Sequence, residues 1–172
     1  EFLFQMMAYQ NIQVLNGYGV KKIVTSCPHC FNTLKNEYPA LGGTYEVIHH
    51  TTLIQQLMLE GKIVVKKTDS AVTYHDSCYL GRMNNVYAAP RAVLDALYSE
   101  IKEMKRCKSD GLCCGAGGAQ MFKEEENGKT SVNHERMKDV IDTGVLLVAT
   151  ACPFCNTMLT DGVKNEEKEE QV

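Results

Sequence analysis

No stretch of this sequence approaches the ~20 consecutive apolar residues that a membrane-spanning helix needs. The longest, residues 145 to 151 with its flanks, falls far short, and no signal peptide opens the chain. A basic excess is missing too: 18 Lys and Arg stand against 21 Asp and Glu, for a net charge of −3. Without a basic run alternating with aromatics, nucleic acid is not an expected partner. The segment is therefore expected to be soluble and cytoplasmic, with any membrane association arising through regions outside it. Nothing reads as disordered or fibrous, and 44% apolar content in 172 residues suits one domain, or one domain with part of another.

What the chain has in excess is cysteine. Eight occur, at 27, 30, 78, 107, 113, 114, 152 and 155. Without a secretion signal, that number points to metal or redox chemistry rather than a disulfide framework. The central stretch is Gly111-Leu112-Cys113-Cys114-Gly115-Ala116-Gly117-Gly118. Adjacent cysteines face opposite sides of a strand and lie about 100° apart on a helix, so a turn is needed to aim both sulfurs at one point. Gly115, Gly117 and Gly118 can supply it, since glycine reaches positive φ and lets backbone approach closely what the sulfurs hold.

Hydrophobic patterning predicts an α/β chain with parallel sheets built from βαβ units. Residues 2–17 read as an amphipathic helix with apolar groups at 3, 6, 7, 14 and 15, capped at Gly17. Met6, Met7 and Met58 are expected in the core. A strand at 20–26 runs into Cys27-Pro28-His29-Cys30 and a helix to about residue 38; a second strand covers 45–49 and a helix 52–59. Residues 62–70 are the best boundary between units. Further strands are expected at 71–75, 101–104 and 145–150, and helices at 90–97, 120–126, 132–141 and from 153 to about 163.

A shift of 125 positions lays Gly19-Val20 on Gly144-Val145, Cys27-Pro28 on Cys152-Pro153, Cys30 on Cys155 and Leu34 on Leu159. Both copies read helix, glycine, strand, CPxC, helix, which is a duplicated unit. Each copy lacks elements the other has, so the chain is expected to be cut at both ends from a longer two-repeat protein. A CxxC at a strand-to-helix junction places both sulfurs where free N–H groups stabilise thiolate. Three chemistries use that: thiol–disulfide exchange, a structural zinc site as part of an interaction module, and an iron–sulfur cluster.

Cys78, 34 residues, Cys113-Cys114-Gly115, 36 residues, Cys152-Pro153-Phe154-Cys155 resembles the CCG-domain (cysteine-rich) family of iron–sulfur oxidoreductases, typified by heterodisulfide reductase B and D subunits. His75-Asp76, Tyr79-Leu80-Gly81-Arg82 and Ala151 flank it in the same manner; Ser77 departs, where the family usually has proline. The first copy, with Cys27-Pro28-His29-Cys30 and His49-His50-Thr51, resembles the branch linked to electron-transfer flavoprotein and quinone reduction.

The resemblance implies a [4Fe–4S] cluster, in some members noncubane, on Cys78, Cys113, Cys114, Cys152 and Cys155, with Cys27 and Cys30 as half of a second site. Gly115, Gly117, Gly118 and Arg82 would contact the cofactor, and His49, His50 and His75 are the candidate proton-handling residues. Cys107 is expected to be a plain thiol. On this reading residues 1–67 form the end of a first CCG repeat, 68–165 a second repeat and 166–172 a mobile charged tail. The expected partners are a flavoprotein or another iron–sulfur subunit as donor, and a disulfide or quinone as acceptor.

Overall fold

The computed structural model describes residues 1–124, 128–145 and 147–165. In chain order it contains α1 (Phe2–Gly17), β1 (Lys22–Thr25), α2 (Pro28–Asn32), β2 (Glu46–His49), α3 (His50–Leu59), β3 (Thr68–His75), α4 (Ala88–Leu97), β4 (Tyr98–Ile101), α5 (Val132–Ile141), β5 (Val148–Thr150) and α6 (Pro153–Asn165). The fold is α/β with parallel sheets, as the patterning predicts. β1 and β2 form one two-stranded parallel sheet, and a second runs in the order β4-β3-β5, again all parallel.

Because every pairing is parallel, strand ends of one kind share an edge of each sheet. β1 ends at Cys27-Pro28-His29-Cys30, β5 at Cys152-Pro153-Phe154-Cys155, and β3 at His75 just before Cys78. Proline at the first turn of α2 and α6 suits both junctions, since its missing N–H is one that a helix leaves unused there.

Among the described residues, three apolar clusters hold this together. Met104, Met137, Val140, Leu159 and Val163 pack α5 and α6 onto β5. Phe31 joins Tyr74, Leu80 and Ala151, with Val47 and Leu94 against them, so one cluster is shared by both sheets. Ala8 and Ile12 seat α1 on Tyr38, Leu34, Leu41 and Tyr45.

Several expectations are corrected. The core face of α1 is the Ala8–Ile12 stripe packed with Tyr38, while Leu3, Met6, Met7 and Val14 are exposed. Gly17 does not end α1 in a left-handed turn; Gly19, at φ +65°, takes that conformation. The helix after Cys30 is not uniform: α2 gives way to a π-helical turn, Thr33–Glu37, and a 3₁₀ turn, Tyr38–Leu41. The strand expected at 101–104 lies at Tyr98–Ile101, and Met104 is instead a buried core side chain.

The 120–126 helix is a kinked 3₁₀ segment, Gly117–Phe122, and residues 125 and 126 lie outside the described residues, as does the 166–172 tail.

The approach of α6 to α5 depends on Gly162. A Cβ there would meet Met137 Cγ at 2.5 Å and the Asn133 carbonyl oxygen at 3.3 Å. Alanine gains about 1 kcal/mol of helix propensity. Overpacking costs roughly 1–3 kcal/mol. Gly162→Ala is therefore expected to destabilise the fold by about 1 kcal/mol net, read as a lower urea midpoint.

Candidate metal centre

The five cysteines of the motif meet. Cys114, Cys152 and Cys155 are buried together, with Cys113, Ala116, Phe154 and Met158 packed against them. Their thiols adjoin in series: Cys78 beside Cys113, Cys113 beside Cys114, Cys114 beside Cys155, and Cys155 beside Cys152. Residues up to 77 positions apart in sequence reach one place because β3 and β5 are neighbours and the Cys113 turn folds across their ends.

Backbone N–H groups surround the sulfurs. Gly115 donates to Cys113 Sγ at 3.3 Å, joined by the Gly117 amide, and Ala116 donates to Cys114. At the start of α6 the Phe154 and Cys155 amides face Cys152, and the Tyr79 amide faces Cys78. Gly115 takes φ +94°, and a Cβ there would press on Val132 at 3.2 Å. Gly118 is also left-handed, whereas Gly117 serves through its amide.

These contacts divide the thiols. Cys113 is held far below the usual thiol range by the Cys114 and Cys78 thiols and then by the Gly115 and Gly117 amides. Cys152 is lowered to about 5, first by the Cys155 thiol. Cys78 is pushed far up by its bond to Cys113 and by burial; Cys155 is pushed far up by Cys114 and Cys152. Cys114 rises to about 11 because it donates to Cys113. The directions oppose one another along the series, with Cys113 and Cys152 the more acidic thiols, and cation binding to such a set releases protons.

Two buried polar atoms around this centre have no hydrogen-bond partner among the described residues: Ser77 Oγ and Arg136 Nη2. The β3–β5 register pairs His75 with Thr150, and continuing it brings Ser77 level with Cys152. A donor set of five sulfurs, ringed by amides and by a hydroxyl lacking a partner, fits a sulfur-rich anionic cluster. Zinc would leave one thiol surplus.

Arg82 lines a small cavity with Cys78 and Cys113, and its hydrogen bonds go to backbone carbonyls. Its Nε donates to the Ser109 carbonyl at 3.1 Å and its Nη2 to the Gly111 carbonyl, so it braces the chain that leads into Cys113. Cys107 starts the 3₁₀ turn Lys108–Asp110, apart from the thiol series. Cys27 and Cys30 also stand outside the series, but His29 between them lies 4.2 Å from the Tyr79 ring and 5.2 Å from Phe154 (centroid to centroid). The two CPxC turns therefore touch.

Of the three candidate histidines, His75 is brought to the sulfurs: a ring nitrogen lies within 4.8 Å of Cys114 Sγ and Cys155 Sγ. His49 lies instead between the two CPxC turns, beside the carbonyls of Ser26 and Ala151, with Nδ1 bonded to Thr51 Oγ1 at 2.8 Å. Burial, then His50, lowers its pKa to about 4, so it stays neutral in ordinary buffers. His50 sits beside Thr25 and is lowered by burial.

Arg136 was not visible as a site residue in the sequence. It is fully buried, and its Nε donates to His75 Nδ1 at 2.9 Å while Nη1 donates to Asp139 Oδ2 at 2.9 Å. Only the i,i+3 spacing to Asp139 hinted at a pairing, and such pairs are usually solvated.

Among the described residues no helix is long and apolar enough to cross a membrane. The cysteine-rich CCG domain model matches residues 1–35 and 72–160. The chain is 46% identical over 177 residues to the EtfAB:quinone oxidoreductase of Syntrophomonas wolfei, covering 99% of this chain and 25% of that protein. It is 44% identical over 174 residues to the probable iron-sulfur-binding oxidoreductase FadF of Bacillus subtilis, covering 100% of this chain and 24% of that one. A third relative is the D subunit of the dihydromethanophenazine:CoB--CoM heterodisulfide reductase of Methanosarcina acetivorans, 37% identical over 161 residues, or 91% of this chain and 39% of that relative.

The chain thus spans about a quarter of the length of the first two. With the matched residues covering most of the chain and both CPxC turns in place, the protein belongs to the cysteine-rich CCG domain family.

Proposed function

We propose that Cys78, Cys113, Cys114, Cys152 and Cys155 hold a [4Fe–4S] cluster of noncubane type, and that the chain is the electron-carrying part of an oxidoreductase subunit. The observation that carries this reading is the unbroken series of five thiols from Cys78 to Cys152. A cubane takes four thiolates, so a fifth sulfur in the same series favours a cluster of another shape. The names of the relatives support the redox assignment.

Bound there, the cluster supplies one-electron chemistry. The chain's own residues hold it, offset its negative charge through the amides of 115–117 and 154–155, and exclude water by burying Cys114, Cys152 and Cys155. Cys27 and Cys30 form half of a second site, and Tyr79, His29 and Phe154 connect the two. Electrons arrive from a flavoprotein or another iron–sulfur subunit and leave to a quinone or a disulfide, in the reducing cytoplasm that keeps such thiols free. Residues 1–67 then belong to one CCG repeat and 68–165 to the next.

Anaerobic reconstitution with iron and sulfide is expected to give a brown protein with about four iron atoms at the complete site and a paramagnetic signal in one oxidation state. A colourless dithiol that cycles with disulfide, or stoichiometric zinc taken up in preference to iron, would overturn the assignment.

A further inference from the structure

His75, Cys114 and Cys155 make a compact trio that on distance alone could ligate one metal ion. The hydrogen bonding behind the imidazole says otherwise. Arginine has N–H donors and no acceptor. Arg136 Nε donates to His75 Nδ1 at 2.9 Å, so Nδ1 must present a lone pair and carry no proton. In a neutral imidazole the proton then sits on Nε2. An Nε2 that bears hydrogen has no lone pair for iron, and Nδ1 is occupied. Metal-bound histidines show the reverse pattern, with the second nitrogen donating to a carboxylate or carbonyl.

Arg136 cannot relax out of this role. It is 0% exposed, with Nη1 pinned by the Arg106 carbonyl at 2.6 Å and by Asp139 Oδ2 at 2.9 Å. Asp139 is fixed in turn by Arg106, whose Nε and Nη2 donate to its two oxygens at 2.7 and 2.9 Å. His75 is 1% exposed and leaves β3 beside the sulfurs. Nothing nearby on Arg136 can accept a proton from the ring.

Resting on the cluster reading above, we infer that His75 is an N–H donor to the sulfurs of the centre rather than an iron ligand, and that Arg136 is the positioning residue that imposes this tautomer. A donated hydrogen bond to sulfur stabilises the more negative, reduced centre and so raises its potential. His75 and Arg136 therefore set the potential at which the centre accepts an electron without joining its coordination.

The test uses the reconstituted 172-residue chain. Pulsed electron paramagnetic resonance of the wild-type protein is expected to show only weak nitrogen coupling, with a nearby proton signal that disappears in D₂O. His75→Phe is expected to keep its iron and sulfide content, lose the exchangeable proton, and shift the midpoint potential to more negative values. Arg136→Lys, which also donates and cannot accept, is expected to preserve the wild-type signature. Strong nitrogen coupling in the wild type would overturn the inference, as would loss of iron from folded His75→Phe or an unchanged potential. The wild-type spectrum requires no substitution, so it decides between donor and ligand even where a variant folds poorly. Failure of the wild type to take up any cluster is a separate result: it refutes the cluster reading and this inference with it.

Discussion

Cys114→Ala is expected to abolish iron and sulfide retention after reconstitution, while Cys107→Ala leaves both unchanged. Cys114 occupies the middle of the thiol series, between Cys113 and Cys155, so its loss leaves the other four sulfurs as two separated pairs. Alanine at 4% exposure removes little volume, and the fold should survive with a cost of about 1 kcal/mol. Far-ultraviolet dichroism then stays native while the brown chromophore disappears. Cys107 is the internal control, being a free cysteine that starts a 3₁₀ turn. Equal iron content in the two variants would remove Cys114 from the ligand set.

The largest expected loss of stability follows from Asp76→Ala. Arg91 grips both Asp76 oxygens at 2.8 Å, and the Lys108 amide donates to Oδ2 at 2.7 Å. The two side chains are 4% and 14% exposed, so removing the carboxylate leaves a sequestered guanidinium with Glu103 as its remaining anion. Breaking a buried pair from one side typically costs about 3–5 kcal/mol. That is a large part of the roughly 5–15 kcal/mol typical of a domain. Urea titration should show the midpoint falling sharply, and a loss under about 1 kcal/mol would contradict the burial argument.

The same carboxylate predicts a pH response. Burial pushes the Asp76 pKa up, but the Arg91 and Lys108 hydrogen bonds outweigh it and hold the value below the usual range. A folded pKa below the unfolded one means that the unfolded chain binds the proton more readily, so stability rises with pH across that interval. The contribution is complete above an unfolded value of about 3.9 and is lost as pH falls through the lower folded value. Asp76→Asn should flatten the acid limb of the stability curve.

How much of this the sequence carried depends on how local each feature is. The CPxC turns, the glycine turn and α5 were legible because proline, glycine and apolar spacing act within a few residues. The five-cysteine set was legible because its separations are characteristic. The division into two-stranded and three-stranded sheets was not, since β4 begins at Tyr98 directly after α4 and only pairing with β3 makes it a strand. Nor was the Arg136 network: in the polar run Asn133-His134-Glu135-Arg136, nothing local distinguishes a buried guanidinium from a solvated one. Its burial follows from His75, Asp139 and the Arg106 carbonyl, whose positions are set by β3, by α5 itself and by the loop after β4. The Arg82 contacts were hidden for the same reason, its carbonyl partners lying 27 and 29 residues away.

Phe31 shares its apolar surroundings with Tyr74, Leu80 and Ala151, and this governs how the molecule comes apart. Neither sheet can shed its covering without wetting the other's. Heat or denaturant should accordingly act on both CPxC turns in a single cooperative event, and a weakened first half leaves the second no independent refuge.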